Sequence, residues 1–272
     1  MDDQDAFFWC VEARLPPLLP RLRRFRRNEG LSPRQAFAEA RGLVSLIKDS
    51  AATSPIAVHR LRNNISALEG SGGNIAVLTG PDGKLRVDAG IGVSRPQLMK
   101  ALADLGPEPI TTLINTHWHF DHTDGNTWLN SVGAKIIAQD NTRKYLSEVQ
   151  RVEDWDYNFL PPAPGGMPTE TFADALDLKL NGLSLKLKLY APAHTDSDIS
   201  VNFAEANIVH VGDTFWNGVY PFIDYSTGGS IDGTIAACDV NLAAATAAPY
   251  DAKFGAFVID PGFFTRLVYE GV

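Results

Sequence analysis

The spacing of apolar and polar positions divides the chain into a helical start and a strand-rich remainder. Phe37, Ala40, Val44 and Ile47 recur at three- and four-residue intervals, which predicts a short helix. Ser32, Pro33 and Gln35 supply its cap, its first turn and a capping box. From about Ile56 onward, short apolar runs bounded by Gly, Pro, Asn and Asp predict strands alternating with helices. Runs at 75–78 and 85–88 flank Gly80-Pro81-Asp82-Gly83, a hairpin signal. A helix is predicted over 97–105, stopped by Gly106 and Pro107. The β-branched run 110–115 reads as a buried strand, followed by a helix over 125–132 and a strand over 135–138. Runs 176–180 and 183–189 alternate around Asn181-Gly182, the clearest hairpin in the chain, and 199–203 and 208–211 predict two more strands. Residues 155–168, rich in Pro, Gly and aromatics, predict a long surface loop.

Composition narrows the class. At 272 residues the chain can bury a sizeable α/β core. A net charge of -8 argues against a general nucleic-acid binder, because phosphate neutralisation needs a basic face. The charge is uneven: residues 1–50 carry 9 Lys/Arg against 7 Asp/Glu, while the rest carry 15 against 25. The basic run from Arg21 to Arg27 reads as a solvated tail, so residues 1–55 are expected to form a basic, partly helical extension and 56–272 the main domain. Cys10 and Cys238 show no metal-knuckle or redox spacing and read as two unpaired thiols. No run approaches the roughly 20 apolar residues of a membrane span. The short apolar stretch 7–11 follows Asp2, Asp3 and Asp5, where a secretory signal would be basic, so a cytoplasmic protein is expected.

The chemistry concentrates where strands end. His117 and His119 follow the strand at 110–115, and residues two apart on an extended chain project to one side, so both imidazoles can reach one ion. Asp121 and His122 come next, as the chain turns into a helix, and can reach a second ion. Three imidazoles and a carboxylate within six residues are hard to satisfy in a buried site without a metal. His194, in Ala193-His194-Thr195, and Asp213, in Gly212-Asp213-Thr214, stand at other strand ends and join the candidate set. His59 reads as structural. So does His210, which is expected to face the opposite side of its strand from Asp213. Asp124, Asp196 and Asp198 read as turn residues.

The stretch Thr116-His117-Trp118-His119-Phe120-Asp121-His122-Thr123-Asp124-Gly125 resembles the signature of the metallo-β-lactamase superfamily. Val87-Asp88-Ala89-Gly90, Ala193-His194-Thr195 and Val211-Gly212-Asp213 resemble its other motifs, in the same order, over roughly residues 56–262. The resemblance implies a four-layer αββα sandwich. It implies that His117, His119 and His194 hold one ion and that Asp121 and His122 hold a second, with Asp213 bridging. An aspartate at 213 is more similar to the glyoxalase II-like, lactonase-like and phosphodiesterase-like members than to true lactam hydrolases. One departure stands out. The family places a final histidine in a turn that matches 258–264, where this chain has Phe263, and the closing C-terminal helix is expected to be missing.

These readings lead to a zinc hydrolase with one or two ions, iron or manganese being alternatives. An activated water would attack an ester, thioester, lactone or related bond of a small-molecule substrate, with Asp121 orienting that water. Two rival expectations follow from the missing histidine: a mononuclear iron site of the persulfide dioxygenase kind on His117, His194 and Asp213, or an inactive relative with a weakened second site. The aromatic stretches 155–159 and 215–222 are candidates for the pocket wall.

Overall fold

Continuously buried strands and strands that alternate more with less buried positions lie in different parts of this chain, the first inside one sheet and the second in another. The computed structural model describes residues 42–155, 157–216 and 221–245. The basic run, the capping signals at 32–35 and the 258–264 stretch, with its Phe263, lie outside them.

The elements run in the order α1 (Leu43–Thr53), β1 (Ala57–Arg60), β2 (Ile65–Glu69), β3 (Ile75–Leu78), β4 (Lys84–Val87) and α2 (Arg95–Leu105). Next come β5 (Ile110–Ile114), α3 (Phe120–Thr123), α4 (Asn126–Ser131), β6 (Lys135–Gln139) and α5 (Asp140–Leu146). The second half holds β7 (Gln150–Val152), β8 (Tyr157–Phe159), β9 (Glu170–Phe172), β10 (Ala175–Leu180) and β11 (Leu183–Leu189). It closes with β12 (Ile199–Phe203), β13 (Ile208–His210) and α6 (Ile231–Ala245).

Seven strands pair as β1-β2-β3-β4-β5-β6-β9 and four as β10-β11-β12-β13. In the larger sheet β3 and β4 are buried along their whole length, as strands covered on both faces must be. In the smaller sheet β11 alternates: Leu183, Leu185 and Leu187 point inward while Lys186 and Lys188 face solvent. Its hairpin with β10 turns through Asn181 (φ 51°) and Gly182 (φ 79°), the left-handed pair that a two-residue turn requires.

The main core lies between the sheets, where Leu78, Val87 and Ile114 meet Leu185, Val201 and Phe203. On the outer face of the larger sheet, Val77, Leu113 and Ile136 pack against Leu98 and Leu102 of α2 and Trp128 and Leu129 of α4. On the far side, α6 sets Ala237 against Tyr190 and Ala193. The result is the expected αββα sandwich.

Two local expectations change. Of the helix anticipated on Phe37, Ala40, Val44 and Ile47, the first two positions lie outside the described residues; the described helix α1 runs from Leu43 to Thr53 and buries Val44 and Ala51 beside Ile91 and Phe120. The predicted loop 155–168 is in part a strand: β8 pairs with β7, Gln150 opposite Phe159 and Val152 opposite Tyr157. Its aromatic residues at 155, 157 and 159 pack on Phe120, and that burial favours a hairpin over a solvated loop.

Strands β4, β5 and β6 run parallel, so their carboxyl ends open at one edge of the sheet. Asp88 leaves β4 there, and the 115–122 segment leaves β5. Open α/β sheets gather their ligands at such an edge.

Candidate metal centre

The turn after β5 is fixed by groups outside the histidine cluster. Asn115 and Asn126 exchange amide hydrogen bonds at 3.0 and 2.9 Å, and Asn115 also donates to the His122 carbonyl at 3.2 Å. Ile199 of β12 donates its N–H to the Thr116 carbonyl, which ties the two sheets together beside His117. Asp88, in the left-handed region at φ 69°, accepts from the Thr116 N–H at 2.7 Å and from its hydroxyl at 2.8 Å.

The six sequence-derived residues come together. Ring centroids of His117 lie 4.8 Å from His119, 4.2 Å from His122 and 4.8 Å from His194. Donor atoms of His117, His119 and His194 lie within 4.8 Å of one another, and so do those of His117, His122 and Asp213. Asp121 stands at the rim, its Oδ2 3.5 Å from Nε2 of His122 and accepting from the Gly73 N–H at 3.1 Å.

Each imidazole has one nitrogen held from behind. Nδ1 of His122 donates to Asp88 Oδ2 at 2.7 Å, and Nε2 of His119 donates to Asp224 Oδ2 at 3.1 Å. Nδ1 of His194 donates to the Phe222 carbonyl, and Nδ1 of His117 meets the Thr116 hydroxyl at 3.1 Å. The second nitrogens face inward. Nε2 of His117 is buried without a hydrogen-bond partner among the described residues, Nε2 of His122 faces Asp213 Oδ1 at 3.1 Å, and Nε2 of His194 lies 2.8 Å from Nδ1 of His119. Tautomers fixed by an outer partner, with the other nitrogen directed to a shared point, are what metal-ligating histidines show. A donor set of neutral imidazoles and carboxylates is the one zinc accepts, so the residues fit the ion.

Electrostatics divides the cluster into two halves. Burial and then the neighbouring imidazoles push His117 well below its ordinary value, and burial pushes His194 down to about 4. These rings are neutral at physiological pH, as ligands must be. Burial opposes a charge on His122 too, but Asp213, Asp121 and Asp88 outweigh it and hold the ring well above its ordinary value. Burial likewise opposes the charges of Asp213 and Asp121, yet His122 holds both carboxyls below theirs. Three carboxylates around one buried ring are a concentration of negative charge that suits a divalent cation.

Aromatic side chains enclose the cluster. Phe222 lies 6.2 Å from His119 and 6.0 Å from His194, Trp155 lies 5.2 Å from Phe222, and Trp216 is 6.3 Å from His194. Beside His122 and Asp213 opens a cleft walled by Ala67, Ile75, Ile208 and Trp216.

The remaining candidates fall out as follows. His59 bonds Glu69 at 2.8 Å on β1 and β2. Asp198 accepts from the Thr195 N–H and hydroxyl within its own turn, whereas Asp124 accepts from the Gly92 N–H and Asp196 from the Tyr145 hydroxyl, each tying together segments distant in sequence. His210 was expected to face away from Asp213, and it does not. β13 ends at His210 and the chain reverses at Gly212 (φ 54°), so both residues line the cleft. Its ring donates to the Asn74 carbonyl and accepts from the Gly212 N–H, a structural role. Sequence reasoning missed Asp224, which sits 105 residues from His119. The only signal is local: Asp224 followed by Ser226 and Thr227, both of which donate to it.

A family model described as "Metallo-beta-lactamase superfamily" matches residues 68–249. The atrochrysone carboxyl ACP thioesterase of Aspergillus fumigatus is 25% identical over 162 residues, which is 59% of this chain and 45% of that protein. The chain thus spans less than half the length of this curated relative. Among solved structures, the Cronobacter sakazakii metallo-beta-lactamase with a HARLDQ motif superposes with a TM-score of 0.58 at 20% identity, covering 73% of this chain and 77% of that one. The Pontibacter korlensis metallo-beta-lactamase gives 0.57 at 15% identity, covering 71% and 87%. Native FEZ-1 from Legionella gormanii gives 0.56 at 17%, covering 70% and 76%. At such identities the likeness is one of fold.

Proposed function

Because the chain belongs to the metallo-beta-lactamase superfamily, we propose that it is a metal-dependent hydrolase of small-molecule esters, thioesters, lactones or related bonds, with thioesters first among them. The observation that carries this reading is the set of four buried imidazoles, each held by one nitrogen from behind and turned inward by the other. The thioesterase of Aspergillus fumigatus supports the choice of bond.

Zinc held by His117, His119 and His194, with a second ion on Asp121, His122 and Asp213, would polarise the carbonyl and bring the pKa of a water close to neutrality. The chain's own groups do the rest. Asp121, fixed through one oxygen by the Gly73 N–H, orients the attacking water with its carboxylate and takes up its proton. Asp88 and Asp224 keep the His122 and His119 rings from rotating. Phe222 and Trp155 exclude bulk water on the side of His119 and His194.

The test begins with elemental mass spectrometry on protein purified without added metal, followed by a panel of acyl thioesters, aryl esters, lactones and phosphodiesters. About two zinc ions per chain and turnover of a carbonyl substrate are expected. Metal-loaded protein that hydrolyses nothing in the panel overturns the reading. One iron per chain, with oxygen uptake on a thiol persulfide, would replace it with the mononuclear dioxygenase.

A further inference from the structure

The turn between β2 and β3, Gly70-Ser71-Gly72-Gly73, presses directly on the half of the cluster formed by Asp121 and His122. The Gly73 N–H donates to Asp121 Oδ2 at 3.1 Å. A methyl group at Gly73 would stand 2.8 Å or less from Cε1, Nε2 and Nδ1 of His122, so the ring lies flat against a bare backbone. The ring has little room to retreat, because Asp88 holds Nδ1 at 2.7 Å and the residue is only 1% exposed. Gly72 repeats the pattern: at φ 90° its own methyl position lies 3.1 Å from Cβ of Asp121.

We propose that Gly73 is a positioning residue for the second-ion half of the centre: its N–H aims the Asp121 carboxylate, and its missing side chain leaves room for the His122 ring. The proposal rests on the metal-centre reading and deepens it. His117, His119 and His194 do not touch this turn in the way His122 does, since no atom of theirs is among the three nearest to a methyl on Gly72 or Gly73. Substitution at Gly73 therefore separates the two halves. It displaces His122 and Asp121 while the other trio stays in place.

The experiment compares the full-length wild-type chain with Gly73→Ala and with Gly133→Ala. Gly133, unlike Gly73, is left-handed, at φ 106°, and has no atom within 4 Å of its methyl position, so it reports the cost of a methyl and of backbone strain away from the centre. Zinc is titrated against a chromophoric chelator, and the imidazole nitrogen resonances are recorded before and after each equivalent. Gly73→Ala is expected to weaken the second equivalent by about 10–100-fold, the usual effect of losing a supporting group, leaving the first nearly unchanged. In the metal-free chain it is expected to shift the His122 resonances, and Gly133→Ala is expected to do neither. Unchanged second-equivalent binding with unmoved His122 resonances would overturn the proposal.

If the wild-type chain binds no ion, the metal reading fails and the His122 resonances alone decide the positioning role. Should Gly73→Ala not fold, the wild-type amide of Gly73 decides it. Its resonance is expected to move with the second equivalent of zinc and not with the first, and the reverse order counts against the proposal.

Discussion

One carboxylate, that of Asp213, reaches both halves of the histidine cluster: Oδ1 lies 3.1 Å from Nε2 of His122 and Oδ2 lies 3.7 Å from Nε2 of His194. Asp213→Asn preserves the shape of the side chain and removes its charge. Bound zinc is expected to fall from two ions toward one, with affinity lost beyond the roughly 10–100-fold of a supporting residue. Metal analysis after dialysis checks this, and a variant that retains both ions would show that Asp213 is not shared.

Asp88 and Asp224 support different rings, so their variants should fail differently. Asp88→Asn is expected to weaken the ion on the His122 side and Asp224→Asn the ion on the His119 side, each by about 10–100-fold. Asp88 is fully buried and also accepts two hydrogen bonds from Thr116, so Asp88→Ala should further cost about 1–3 kcal/mol of stability in the metal-free chain. Chelator competition and urea unfolding separate the two effects.

Phe203 is fully buried between the sheets, in the cluster that joins Leu185 and Val201 to Val87 and Ile114. Phe203→Ala should cost about 3–5 kcal/mol, because the transfer term adds to a cavity that two rigid sheets cannot collapse. Denaturant unfolding of metal-free protein reads the loss directly.

Lys84 of β4 is 2% exposed and donates to the Gly106 carbonyl at 2.7 Å, the Glu108 carbonyl at 2.6 Å and the Glu108 carboxylate at 3.3 Å. The Glu108 backbone N–H first, and then Lys84, hold that carboxyl below its usual value. A depressed folded value means that the stabilisation is present above the unfolded pKa of about 4.3 and is lost as pH falls through the folded value. Glu108→Gln should therefore lower the melting temperature most near neutrality. The gap to wild type should close below about pH 4; a gap that widens in acid would contradict the assignment.

Among the described residues, no helix is long and apolar enough to cross a membrane. That agrees with the apolar runs of the sequence, all of which are of strand or short-helix length.

What is local could be read from the chain alone. Period-two runs and the Asn181-Gly182 pair specify the β10–β11 hairpin, because alternation and a left-handed turn are properties of neighbouring residues. The two-residue spacing of His117 and His119, and the step to Asp121 and His122, concentrate the donors at one strand end for the same reason. Tertiary structure alone decided which distant groups hold those donors in place. Asp88 meets His122 across 34 residues, Asp224 meets His119 across 105, and Gly73 lies under His122 only once β2 and β3 are stacked beside β4. His210 shows the limit of a pattern: strand alternation predicts its side only while the strand continues, and here the chain turns at Gly212. Hydrogen bonds between loops leave no periodic trace in the chain, because their partners meet only after the sheets have set the loop ends side by side.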